Sequence, residues 1–149
     1  MPELLPSLRQ RYPQLAKDFL APILQLLNVG RTTGDGDLDK LVILLVVGMR
    51  SAEDKRIVDL DFDDILSGAV EVPSLSTNVR SIADSTGIPK ETVRRKVQAL
   101  IDDGWIQRQD GALSMAPEAA RRLTDLREQI FATALRYHQI IEAVQRQDG

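Results

Sequence analysis

Between Asn78 and Met115 three glycines, Gly87, Gly104 and Gly111, punctuate the chain at intervals that leave room for two short helices and a hairpin. Val79, Ile82 and Ala83 recur at helical spacing, and Gly87 falls where a helix end needs a residue with positive φ. Pro89 follows in the first turn of the next helix, where its missing N–H costs nothing, so Gly87-Ile88-Pro89 marks a sharp change of direction. In the second helix Val93, Val97, Leu100 and Ile101 form one stripe, and Lys90, Glu91, Arg94, Arg95 and Gln98 occupy the opposite side. Gly104 ends that helix after Asp102 and Asp103, and the residues from Trp105 to Gln109 read as a strand. Asp110-Gly111 is a two-residue hairpin turn of the type that needs positive φ at both central positions, with the residues from Ala112 to Met115 as the return strand.

These residues resemble a winged helix-turn-helix domain of the bacterial transcription regulators. The run from Gly87 to Arg95, followed by Leu100-Ile101-Asp102-Asp103-Gly104-Trp105-Ile106, is similar to the recognition helix and the start of the wing in the MarR, GntR and Crp groups, without singling out one of them. The resemblance covers about a quarter of the chain closely. It implies a mainly α fold with a small β-hairpin wing, a recognition helix (89–103) laid in the major groove of double-stranded DNA, and a wing (105–115) on phosphate or minor groove. The residues it points to for reading bases are Lys90, Glu91, Thr92, Arg94 and Arg95, with Arg80, Ser81 and Arg108 as backbone contacts. In that arrangement Lys90, Arg94 or Arg95 donates to guanine N7 and O6, Glu91 accepts from a cytosine amino group, and Thr92 meets a phosphate or a thymine methyl.

Charge distribution agrees with one oriented face. The net charge of −3 argues against an indiscriminate polyanion binder. Locally, however, Lys90, Arg94, Arg95 and Lys96 stand against Glu91 alone, whereas Asp35, Asp37, Asp39 and the aspartates between 59 and 64 lie upstream.

At 149 residues the chain is long enough to bury a core as one domain without disulfides or a structural metal. The absence of Cys removes disulfides, Cys-based zinc sites and thiol nucleophiles. Neither a signal peptide nor an apolar run approaching the ~20 residues of a membrane span is present, so a soluble cytoplasmic protein with no membrane partner is expected.

Residues 1–36 read as an N-terminal helical arm, with one or two amphipathic helices interrupted or started at Pro6, Pro13 and Pro22 and a loop from Asn28 to Asp37. A winged-helix core is assigned to 37–116. Its first helix, Leu38 to about Ala52, is capped by Asp37 and apolar nearly all round, which predicts burial. The core carries an insertion at 51–76, longer than this type of domain uses, with a helical turn at 61–66 and a short strand at Val70-Glu71-Val72. Residues 117–149 read as one long dimerisation helix opened by Pro117-Glu118, with Leu123, Leu126, Ile130, Ala134, Tyr137, Ile141 and Val144 as its stripe. Thirty residues of helix would reach roughly 45 Å, more than a small domain covers, so a homodimer is expected, two recognition helices then facing half-sites about 34 Å apart.

Other constellations are weaker. Gly30, Gly34 and Gly36 lack the Gly-Lys-Ser/Thr ending of a phosphate cradle. The run from Asp35 to Asp39 imitates a calcium loop, but Lys40 and Val46 stand where Gly and Glu are required. Asp59, Asp61, Asp63 and Asp64 read as solvated carboxylates rather than metal ligands, since no His accompanies them. His138, the sole histidine, has no nucleophile or orienting carboxylate identifiable by spacing, so neither catalysis nor a metal or cofactor is expected. Trp105 reads as core at the base of the wing, with contact to a sugar as its other use. A ligand-responsive regulator is a further reading, with a small-molecule effector of unspecified chemistry in an apolar pocket between the terminal helices and the wing domain. The functional expectation is a homodimeric sequence-specific transcription regulator; the competing one is a winged-helix docking module that never touches DNA.

Overall fold

The computed structural model describes residues 4–67 and 77–148. It is mainly α-helical: α1 (Leu4–Gln10), α2 (Tyr12–Thr33), α3 (Leu38–Ala52), α4 (Lys55–Val58), α5 (Phe62–Ser67), α6 (Val79–Thr86), α7 (Lys90–Asp102), strands β1 (Ile106–Gln109) and β2 (Ala112–Met115), α8 (Ala119–Arg122) and α9 (Thr124–Asp148). Two compact units result, one running from Arg31 to Thr124 and the other combining the chain up to Gly30 with the chain from Asp125 onward.

The unit from Arg31 to Thr124 is the winged helix. Asp37 caps α3 by accepting the Lys40 N–H at 3.2 Å. Asn78 and Ser81 form a reciprocal capping box at the start of α6, and Gly87 closes that helix at φ 72° with its N–H donated to the Ala83 carbonyl. At the end of α7, Gly104 (φ 77°) directs its N–H to Ile101, and Trp105 directs its own to Leu100, the paired bonds of a Schellman closure. Asp110 (φ 49°) and Gly111 (φ 78°) make the predicted turn, and β1 pairs antiparallel with β2 in the register Ile106↔Met115 to Gln109↔Ala112. The core is shared by Ile43 and Val47 of α3, Ile82 of α6, Val93, Val97 and Leu100 of α7, and Ile106 and Leu113 of the wing, all essentially without solvent contact. The carbonyl of Thr77 accepts the Leu113 N–H at 2.8 Å, which lays the chain entering α6 beside β2. The strand expected at 70–72 lies outside the described residues.

In the other unit α2 and α9 run antiparallel. Arg136 pairs with Asp18 at 2.6 Å, the Tyr137 hydroxyl donates to the Phe19 carbonyl at 2.9 Å, their rings lie 5.8 Å apart, and Arg11 reaches Gln147 and Asp148 near the far end.

Four local expectations change. The loop predicted from Asn28 shortens, because α2 continues to Thr33; Asp35 at φ 53° and Gly36 at φ 81° then close it, with the Gly36 N–H on the Arg31 carbonyl at 2.7 Å. Helix α3 is not buried all round, since Leu38, Val42, Leu45 and Met49 form an exposed stripe opposite Leu41, Ile43, Leu44 and Val47. The single helix predicted from Pro117 is instead the short α8 followed by α9. The Thr124 hydroxyl donates to the Arg121 carbonyl at 2.7 Å there, a local bond that competes with the helical ladder. Finally, α9 buries Leu126, Thr133, Ile140 and Val144 while Ile130 of the predicted stripe is exposed.

Candidate nucleic-acid interface

Helix α7 is held from below by Val93, Val97 and Leu100, so its opposite side is fixed in direction as well as exposed. Along that side and the adjoining edge of β1 runs an open groove of about 660 Å³, lined by Glu91, Thr92, Arg94, Arg95, Gln98, Ala99, Asp102 and Arg108. Five of the residues singled out from sequence therefore share one surface with the wing: Glu91, Thr92, Arg94, Arg95 and Arg108. Lys90 is exposed at the first position of α7 but does not line the groove, and Arg80 and Ser81 lie on α6, also outside it.

The charges along this surface differ in how free they are. Arg94 donates through Nε and Nη2 to Glu91 Oε2 at 3.1 and 2.8 Å. Both side chains are mostly exposed, so this i,i+3 pair contributes only about 0.2–0.5 kcal/mol and opens easily. Glu91 is thus shared between the expected cytosine contact and its own arginine. Arg80 approaches Asp84 at 4.0 Å on α6. Among the described residues, no ion pair engages Lys90, Arg95 or Arg108. Ser81 is committed elsewhere, its hydroxyl donating to the Asn78 carbonyl and accepting the Asn78 N–H, both at 3.0 Å. That leaves its single proton unavailable for a phosphate unless the cap of α6 opens.

Lys96 does not share the face of Arg94 and Arg95, although the three are consecutive. Only 16 % of its side chain is exposed, and its ammonium pairs with Asp37 and approaches Asp39 at 3.7 Å. It ties α7 to the N-terminus of α3. Burial alone would raise the Asp37 pKa; the hydrogen bond from Lys96, the Lys40 N–H, the Lys96 charge and the Asp39 N–H together outweigh it and bring the carboxyl below its ordinary value. A carboxylate whose pKa is depressed by folding stabilises the protein above its unfolded pKa, and that contribution disappears as pH falls through the folded value. In acid titrations followed by circular dichroism, Asp37→Asn should flatten the loss of stability below about pH 4. An unchanged slope would remove Asp37 from the set of carboxylates that respond.

Gln98 belongs to the groove and was only placed on the outward side from sequence; its Nε2 donates to Asp102 Oδ1 at 2.9 Å, which orients the amide. Its distance of three and four residues from Arg95 and Arg94 was the available signal. Trp105 is buried at the wing base, with the Arg122 guanidinium 3.6 Å above its ring and Arg122 Nη1 donating to the Asp103 carbonyl at 2.7 Å. Of its two expected uses the structure shows the core one. Asp61 and Asp64 of the acidic cluster cap α5 reciprocally, at 2.8 and 3.1 Å. Among the described residues no cluster of potential metal ligands occurs, and no helix is long and apolar enough to cross a membrane. His138 is exposed, its Nε2 3.4 Å from Glu142.

Residues 46–146, from within α3 to nearly the end of α9, match the model of one protein family, described as Firmicute plasmid replication protein (RepL). The chain belongs to the RepL family. The match covers about two thirds of the 149 residues, including the whole α6–α7–wing segment. No curated protein and no solved structure matches the chain. RepL membership agrees with the winged helix-turn-helix reading, but not with the narrower attribution to the MarR, GntR or Crp regulators.

Proposed function

We propose that this RepL protein acts by binding double-stranded DNA in plasmid replication, recognising sequence with α7 in the major groove and touching phosphate or minor groove with the β1–β2 wing. One observation carries the proposal. The outward side of a rigidly seated α7 and Arg108 of the wing form one open surface on which Arg95 and Arg108 have no ion pair among the described residues. Arg95, or Lys90 at the helix start, donates to guanine; Arg94 does so once its bond to Glu91 opens, leaving Glu91 to accept from cytosine. Arg80 and Arg108 supply phosphate contacts that fix register without reading sequence. The protein acts by binding rather than catalysis, in the cytoplasm.

The family match favours replication, at its initiation or its control, over regulation of transcription as the process served. A transcription regulator would use the same contacts, so the two differ in which DNA is bound, not how. Selection of bound duplexes from a random pool should return a defined motif. Affinity for it should fall steeply with salt through counterion release, each phosphate-bound cation adding about −0.9 to the log–log slope. Recovery of no motif together with salt-independent retention would replace this reading by a winged-helix docking module. Comparing the motif with plasmid replication origins and with promoters then separates the two processes.

A further inference from the structure

The unit formed by α2 and α9 leaves several large apolar residues exposed beside those it buries. On α2, Leu20, Ile23, Leu24 and Leu27 are each between 44 and 60 % exposed, and their i, i+3, i+4, i+7 spacing puts them on one side of the helix. On α9, Ile130, Phe131 and Leu135 are between 40 and 63 % exposed. Asp18 facing Arg136 and Phe19 against Tyr137 set the antiparallel register, which brings Leu20 level with Leu135 and Leu24 level with Phe131. The opposite side of the same helix pair is a cleft of about 360 Å³, floored by Ala21, Pro22, Ala132 and Thr133 and edged by Lys17, Asp18, Gln25, Gln129 and Arg136. At 3.6 residues per turn the α2 set falls on the side away from that cleft and makes one stripe, whereas Phe131 and Leu135 project from the side of α9 turned away from α2.

We infer that this α2 stripe is the interface through which two copies of the chain associate, α2 against α2 of the second copy about a two-fold axis. Charge decides the occupant. From Phe19 to Gly30, and again from Ile130 to Leu135, the sequence has no charged residue. In an isologous contact, side chains near the axis meet their own copies, so any charge there would face its like; a charge-free span is what self-pairing needs. A differently charged partner would instead be met by complementary charges, which these spans do not offer. Area is compatible: four half-exposed side chains of this size present on the order of 80–100 Å² each, about 350 Å² per copy, enough for the apolar centre of an interface of ~800 Å² per partner whose rim is polar. The interface thus centres on α2, not on the C-terminal helix alone.

The chain has no cysteine, so a single introduced thiol reports on its own surroundings. Full-length Leu24→Cys, with Gln25→Cys on the cleft side as control, would be exposed to a mild oxidant at low micromolar concentration, alongside sedimentation of the unmodified protein. The expected result is sedimentation at twice the chain mass and disulfide-linked dimer forming at least 10-fold faster from Leu24→Cys than from the control. Leu24→Glu should sediment as a monomer of unchanged helicity. A monomeric unmodified protein, equal cross-linking at the two positions, or a Leu24→Glu chain that still dimerises would each overturn the inference. Should Leu24→Glu lose helicity, the cross-linking ratio decides alone. DNA binding reads out separately, since a monomer that still binds its motif leaves the DNA proposal intact while ending this one.

Discussion

Arg95→Ala should weaken binding to the selected DNA motif by about 1–3 kcal/mol, between roughly 5- and 150-fold, and relax the preference at one base position. The size follows from what the side chain gives up. Arg95 sits on the outward side of a helix whose inner residues are fully packed, has no ion pair among the described residues, and lines the groove that also includes Arg108. A guanidinium so placed can donate two parallel hydrogen bonds to guanine without first breaking an ion pair among the described residues, which Arg94 cannot do. Arg108→Ala is the informative comparison, because a phosphate contact should weaken all sequences alike and reduce the salt slope by about 0.9. Lys96→Ala, though adjacent in sequence, should chiefly lower thermal stability, since its ammonium is tied to Asp37. If Arg95→Ala bound as tightly as the parent protein and with the same base preferences, α7 would not be the reading element.

The contrast between Arg95 and Lys96 also shows where sequence reading stops. Turn positions were legible because they express a local steric demand: Gly87, Gly104 and the Asp110-Gly111 pair all take positive φ, as their places after helix stripes and between strands required. The outward face of α7 was legible for the same kind of reason, the 3.6-residue period. What required three dimensions was each feature set by a distant partner. Lys96 reads as one more cation of a basic run until Asp37, 59 residues earlier, is seen beside it. Apolar residues all round α3 state only that burial would be favourable, not that one stripe is left outside. Ser81 is a plausible phosphate donor by type, yet its proton is spent on the cap of its own helix. Similarly, the end of α2 was misplaced because Asn28, Gly30 and the threonines are loop-prone residues, whereas the closure at Asp35 and Gly36 decides where the helix stops.

Leu100→Ala should cost about 2–5 kcal/mol of stability, a substantial part of the ~5–15 kcal/mol typical of a whole domain. Leu100 is 1 % exposed and packs on the inner side of α7, and its carbonyl accepts the Trp105 N–H at 2.9 Å where the helix gives way to the wing. Removing the side chain leaves a void at the junction of α7 and the wing, the two elements that must be held in fixed relation for α7 and Arg108 to meet one duplex. The melting temperature should drop by on the order of 10 °C, measured by circular dichroism. Ile101→Ala, at a position only partly buried, should cost less. Well below the lowered melting point, affinity for the DNA motif should persist within a few fold, because no groove-lining side chain has been touched. A melting temperature unchanged to within about 2 °C would mean that α7 is not seated on the core through this residue. A large affinity loss in a fully folded Leu100→Ala protein would mean instead that recognition depends on the α7–wing geometry more tightly than on the side chains it presents.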